Sequence, residues 1–174
     1  MHQKNIIAYV ALVPEGTIEG IHAYATRERT TFRVMLIRDA RRHSDPAPKD
    51  IDILMECDFS RPDKIAGCLF PHKDELLAIS CRSESHMEEF AKVIPHVPYL
   101  RTPSSESIYW STDKLLMRRR LKIFDKKGTP AFTIVRENTK KERARIAAKA
   151  GFPLVIKPAN LAQSMFVSLC YHEE

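Results

Sequence analysis

The first hundred residues alternate short apolar runs with polar stretches. "NIIAYVALV" (5–13), "FRVMLIRD" (32–39), "IDILMECD" (51–58) and "ELLAISCR" (75–82) are dense in aliphatic side chains and read as strands. Between and after them, "TIEGIHAYATRER" with Thr17 as N-cap, "RPDKIAGCLF", and "SESHMEEFAKVI" read as helices. The last of these opens on Ser83 or Ser85 and stops before Pro95. Strand and helix in alternation predict an α/β domain with a parallel sheet covered on both faces.

The rhythm breaks at "PHVPYLRTPSSES" (95–107), which holds three prolines and three serines. It reads as a connector with room for a short strand at "VPYL". A boundary is expected near 104–108, giving domains 1–106 and 107–174. In the second, Ser111 or Thr112 caps a helix that starts at Asp113, runs to about Lys127 and stops at Gly128. Met117, Leu121 and Phe124 fall at i, i+4 and i+7 and form its expected core stripe. "PAFTIV" reads as a strand. "KKERARIAAKA" reads as a helix capped by Asn138 or Thr139 and ended by Gly151. "FPLVIKP" and "SMFVSLCY" read as two strands, antiparallel across "ANLAQ".

Composition changes the picture in a few places. With 44% apolar residues in 174, the chain can bury a core. Lys plus Arg is 28 against 22 Asp plus Glu, a net +6, and 114–145 carries the surplus in "KLLMRRRLKIFDKK" and "TKKERAR". The four cysteines, Cys57, Cys68, Cys81 and Cys170, form no C-x-x-C pair, so His72 and His86 nearby do not complete a zinc signature. Reduced thiols in a cytoplasmic protein are the expectation. The longest apolar run, 6–13, is too short for a membrane span, and Pro14 and Glu15 follow where a signal peptide would continue. No membrane partner is expected.

Candidate chemistry begins at Lys157. The apolar "PLVI" fixes a strand, and Pro158 ends regular pairing because it has no N–H to donate. A lysine at a rigid strand end is a compact cation suited to phosphate oxygens, although a strand-end lysine also reaches water readily. Around it, Asp113–Lys114, the turn Gly128–Thr129–Pro130, then Gly151–Phe152–Pro153 and Lys157–Pro158 occur in order. This series resembles the start of the ATP-grasp superfamily of carboxylate–amine and carboxylate–thiol ligases, over 111–169. The preceding part resembles the Rossmann-like domain that comes before the ATP-binding lobes. The resemblance implies an α/β chain: a parallel-sheet domain followed by part of an α+β ATP-grasp lobe.

What the resemblance implies for residues is specific. Lys157 matches the strand lysine that contacts the α- and β-phosphates, and Lys114 the helix-start lysine that also approaches them. Arg118, one turn beyond Lys114, shares its face; Arg119 reads as part of a solvated basic face. The family's loop between the two strands is rich in Gly and Ser. Here it contains no glycine, leaving the Gln163 amide and the Ser164 N–H and hydroxyl as phosphate donors, with Met165 and Phe166 where small or basic residues are common. ATP and Mg2+ are the implied cofactors, with the metal ligands and the acyl-phosphate arginine expected outside this chain. The chain is therefore expected to be the N-terminal piece of a longer ligase, inactive by itself, and no catalytic residue is assigned.

The leading reading is a ligase that joins a small carboxylate to an amine through an acyl-phosphate. Ligands of open α/β sheets bind beyond the carboxyl ends of the strands, which selects Pro14, Glu15, Gly16, Asp58 and Ser60, each of them also an ordinary turn residue. A second reading is a non-catalytic regulatory or scaffold protein of the same fold, which the glycine-free loop favours. A third and weaker one is nucleic-acid binding through "RRRLKIFDKK", without an accompanying RNA- or zinc-binding signature. The substrates and the oligomeric state, a homodimer included, are left open.

Overall fold

The four apolar runs of the first hundred residues pair in parallel. β1 (Ile6–Val10), β2 (Arg33–Asp39), β3 (Ile53–Cys57) and β4 (Leu76–Ser80) form a sheet in the order β3-β2-β1-β4. The computed structural model describes residues 4–42, 46–161 and 164–172 and divides into two units, 1–109 and 110–174. In the first unit, β2 is an interior strand. Val34, Met35 and Ile37 are fully buried, as a parallel strand flanked on both faces requires. Each such aliphatic side chain contributes about 1.5–3 kcal/mol by leaving water.

α1 (Thr17–Arg27) connects β1 to β2 and turns Ile18 and Ala25 inward. Its N-cap is Gly16 rather than Thr17. Gly16 holds φ 71, a left-handed shape free of penalty only for glycine, and Thr17 is the first helical residue. α2 (Pro62–Leu69) connects β3 to β4, with Pro62 at the first turn where no N–H is needed. After β4, a 3-10 turn at Glu84–His86 leads into α3 (Met87–Val93). Ser83 precedes that turn without a side-chain capping bond.

The connector is not a linker. Within it, α4 (Ser105–Thr112) forms, and the division between the units falls inside this helix. Ser104 Oγ accepts the Ser107 N–H at 3.1 Å, so a serine that looked like linker composition acts as a helix cap. Ser105 Oγ donates to the Ala91 carbonyl at 2.6 Å, and Ile108 is buried in the first unit's core. "VPYL" is turn, not strand.

The second unit holds α5 (Lys114–Phe124), α6 (Lys140–Ala150) and an antiparallel pair, β5 (Leu154–Ile156) and β6 (Ser168–Cys170), with Val155 opposite Leu169. Asp113 itself caps α5, which ends at Phe124, three residues before the expected stop. Asp125 then accepts the Lys127 and Gly128 N–H groups at 3.0 and 2.9 Å, and its carboxylate leaves no room for a side chain at 128. The expected core stripe is not buried: Leu121 is 41% and Phe124 89% exposed. Residues 130–135 form no strand. Thr139 caps α6 as expected, accepting the Glu142 N–H at 3.2 Å, and Gly151 closes it.

Candidate functional site

Polar chemistry gathers in both units. In the second unit, Asp113 Oδ1 accepts the Leu115 and Leu116 N–H groups at 2.7 and 2.9 Å, which fixes the start of α5 and with it Lys114. The Lys114 N–H donates to the Ala159 carbonyl at 2.8 Å, two residues beyond Lys157, and Lys114 Nζ donates to the Leu161 carbonyl. The start of α5 is thus stitched to the chain leaving β5, two and four residues beyond Lys157. Lys157 directly follows the last residue of β5 and is exposed. An ammonium has three donors, so the bond to Leu161 leaves Lys114 two. Arg118 lies one turn along, half-exposed.

The loop between β5 and β6 explains part of its own composition. Ser164 and Phe166 hold φ 56 and 55, the left-handed region that glycine enters freely. A loop without glycine here still takes, at two positions, the backbone shape that a glycine-rich loop takes without cost. Gln163 lies outside the described residues. Among the described residues, no three His, Cys, Asp or Glu side chains converge as a metal site.

In the first unit, a cavity of about 480 Å3 opens at the carboxyl ends of the strands. It lies where the chain order reverses: β2 and β3 extend the sheet on one side of β1, and β4 on the other. Leu12 and Val13 follow β1, Arg38 is the last residue but one of β2, Arg42 follows that strand, and His86 and Glu89 follow β4. Glu89 is 2% exposed; its Oε1 lies 3.2 Å from His86 Nδ1 and 3.5 Å from Arg42 Nη1. Arg38 Nη2 donates to Glu56 Oε1 at 2.7 Å. Two guanidinium groups and a buried carboxylate thus face one small space, an arrangement able to hold a carboxylate and an amine together.

The residues selected from sequence belong to loops at this end of the sheet, but they do not themselves line the cavity; after β1 it is Ala11, Leu12 and Val13 that do. Asp58 and Ser60 serve each other: the Ser60 hydroxyl and N–H donate to Asp58 Oδ1 at 2.6 and 2.8 Å and hold that carboxyl below the usual carboxylate range. Pro14, Glu15 and Gly16 form the turn into α1, where Thr17 N–H donates to the Pro14 carbonyl at 3.1 Å. Arg38, Arg42, His86 and Glu89 were missed. Glu89 lies in a helix stretch read from sequence without any role assigned to it, and its direct succession by Phe90 and Ala91, both buried, is the signal that it turns inward.

No family model matches the sequence, and no curated protein matches it. Solved structures do. The chain is similar to an L-amino acid ligase from Bacillus licheniformis, at 13% identity and TM-score 0.56, over 99% of this chain and 40% of that one. It is similar to N5-carboxyaminoimidazole ribonucleotide synthetase from Thermotoga maritima, at 18% identity and TM-score 0.56, over 97% and 41%. It is also similar to the biotin carboxylase domain of 2-oxoglutarate carboxylase from Hydrogenobacter thermophilus, a dimer in complex with magnesium ADP, ADP and bicarbonate, at 16% identity and TM-score 0.57, over 98% and 38%. The chain spans about two-fifths of the length of these proteins. At such identities the likeness is one of fold: an α/β architecture shared with these proteins.

Proposed function

We propose that this chain supplies the N-terminal part of an ATP-dependent carboxylate–amine ligase. The observation that supports the reading is the pair of hydrogen bonds from Lys114, through its N–H and its Nζ, to Ala159 and Leu161 in the chain that follows Lys157. Lys157 and Lys114 would hold the polyphosphate of ATP, with Arg118 and the Ser164 N–H beside them. ATP, when bound with Mg2+, supplies the phosphoryl group that activates a carboxylate as an acyl-phosphate. The residues described here bind and orient; two ammonium groups offset the charge of the polyphosphate and fix its direction.

The cavity in the first unit would take part of the small substrate, with Arg38 and Arg42 toward a carboxylate and Glu89 toward an amine. The likeness to ligases that are about two and a half times longer supports the reading. The test uses the full gene product: ATP consumption dependent on a carboxylate and an amine, with the acyl-phosphate trapped as a hydroxamate by hydroxylamine. Lys157→Ala should depress it at least tenfold; unchanged ATP use in that variant would refute the role of the lysine. The glycine-free loop favours a second reading, a regulatory or scaffold protein without turnover. In that case ADP binds and no hydroxamate forms.

A further inference from the structure

The net charge is unevenly placed. Residues 110–174 hold 14 Lys and Arg against 6 Asp and Glu, while residues 1–109 hold 14 against 16. In the second unit much of this charge converges. A cavity of about 230 Å3 is walled by Arg119 and Lys122 of α5, Arg136 of the segment before α6, and Arg145 and Lys149 of α6, with Phe132 beside them. The spacings are i, i+3 in α5 and i, i+4 in α6, so each helix brings a doubly charged edge to the same space. Arg119 is therefore part of a concave cluster rather than a simple solvated face.

Among the described residues, the ion pair at this cavity is that of Arg145 with Glu142. Glu142, 7% exposed, takes Arg145 Nε at 2.7 Å and Nη2 at 2.5 Å. Arg145 also donates from Nη1 to Thr133 Oγ1 at 2.8 Å and from Nη2 to the Ile134 carbonyl at 2.7 Å. It pins the 132–136 segment to α6 and gives the cavity a fixed wall. Arg119, Lys122 and Lys149 form no ion pair among the described residues. Lys122 instead lies 6.0 Å from the centre of the Phe132 ring. Like charges held around a concavity repel, and an anion seated among them relieves the repulsion.

We propose that this cavity is an anion site, separate from the Lys114–Lys157 end, that takes a short phosphate chain carried by a small molecule. Neither Lys114 nor Lys157 lines it. Its small volume and its single, half-buried aromatic ring suit a polyphosphate or phosphorylated metabolite better than single-stranded nucleic acid, which binds on exposed stacking platforms. The site stands whether or not the ligase reading holds.

The test is calorimetric titration of the chain with inorganic tripolyphosphate, at low and at physiological ionic strength. Arg119→Gln and Lys149→Gln, both at exposed positions, should each weaken binding about tenfold, as expected for a charge-assisted phosphate contact. Lys126→Gln, which removes the same charge outside the cavity, should leave it unchanged. Equal loss in Lys126→Gln would show that net charge alone matters and would overturn the proposal. So would loss confined to Lys157→Gln, or wild-type binding by both cavity variants. Tight binding of a single-stranded oligonucleotide that tripolyphosphate fails to displace would assign the face to nucleic acid instead.

Discussion

Replacing Asp113 by alanine strikes the joint on which the second unit depends. Its carboxylate accepts two N–H groups at the start of α5. Loss of an N-cap costs about 0.5–2 kcal/mol, and loss of an acidic charge at a helix N-terminus about 0.3–1 kcal/mol. The two overlap, so about 1.5 kcal/mol is the expected total, close to a factor of ten in the folded-to-unfolded ratio. The second unit has little to set against this, since among its described hydrophobic side chains only Ile146 is buried. Trp110, the single tryptophan, reports on the unit: the Arg120 guanidinium lies 4.4 Å from its ring centre. In urea, with a slope of about 1 kcal/mol/M for a small unit, its fluorescence midpoint should fall by about 1.5 M in Asp113→Ala. Asp113→Asn keeps an acceptor and should lose less than half as much. A midpoint in Asp113→Ala equal to that of the wild type would refute the capping argument, and with it the claim that this residue positions Lys114.

Three further outcomes follow from local geometry. Hydrogen bonds from Arg145 hold the Glu142 carboxyl at about 2, below its ordinary 4.5. The stability it contributes is therefore present above about pH 4.5 and lost as pH falls toward about 2, and Glu142→Gln should flatten the acid titration of Trp110 fluorescence in that window. Ala11, buried at the mouth of the first-unit cavity, holds φ 73. Ala11→Gly should stabilise by about 0.5–1 kcal/mol, the relief of a left-handed residue less the chain entropy of glycine, while Ala11→Val should destabilise, both read by urea unfolding. Burial, with the Cys68 thiol beside it, pushes the Cys57 thiol up to about 12, so Cys57 should resist alkylation at pH 8 in the folded chain and react once urea unfolds it.

The sheet was legible because parallel strands buried on both faces write continuous apolar runs, and β1 to β4 sit inside the four runs read from sequence. The second unit was harder. Met117, Leu121 and Phe124 have the right period, but the unit provides little for that face to pack against, and periodicity cannot report a missing neighbour. Residues 130–135 have strand composition, yet they join neither edge of the β5–β6 pair, and Arg145 holds them to α6 through Thr133 and Ile134 instead. The candidate phosphate lysines were singled out through a motif. The cluster at Glu89 was not, because its members come from β2, the segment after it and α3, and only the folded sheet brings Arg42 within 3.5 Å of an acid 47 positions away.

The most direct test of the central claim is lysine-by-lysine protection. In the full gene product, limited reductive methylation with and without MgATP, read by mass spectrometry, should show Lys114 and Lys157 shielded together by the nucleotide while Lys126 and Lys140 label equally in both states. Equal labelling of Lys114 and Lys157 with and without bound nucleotide would contradict the account.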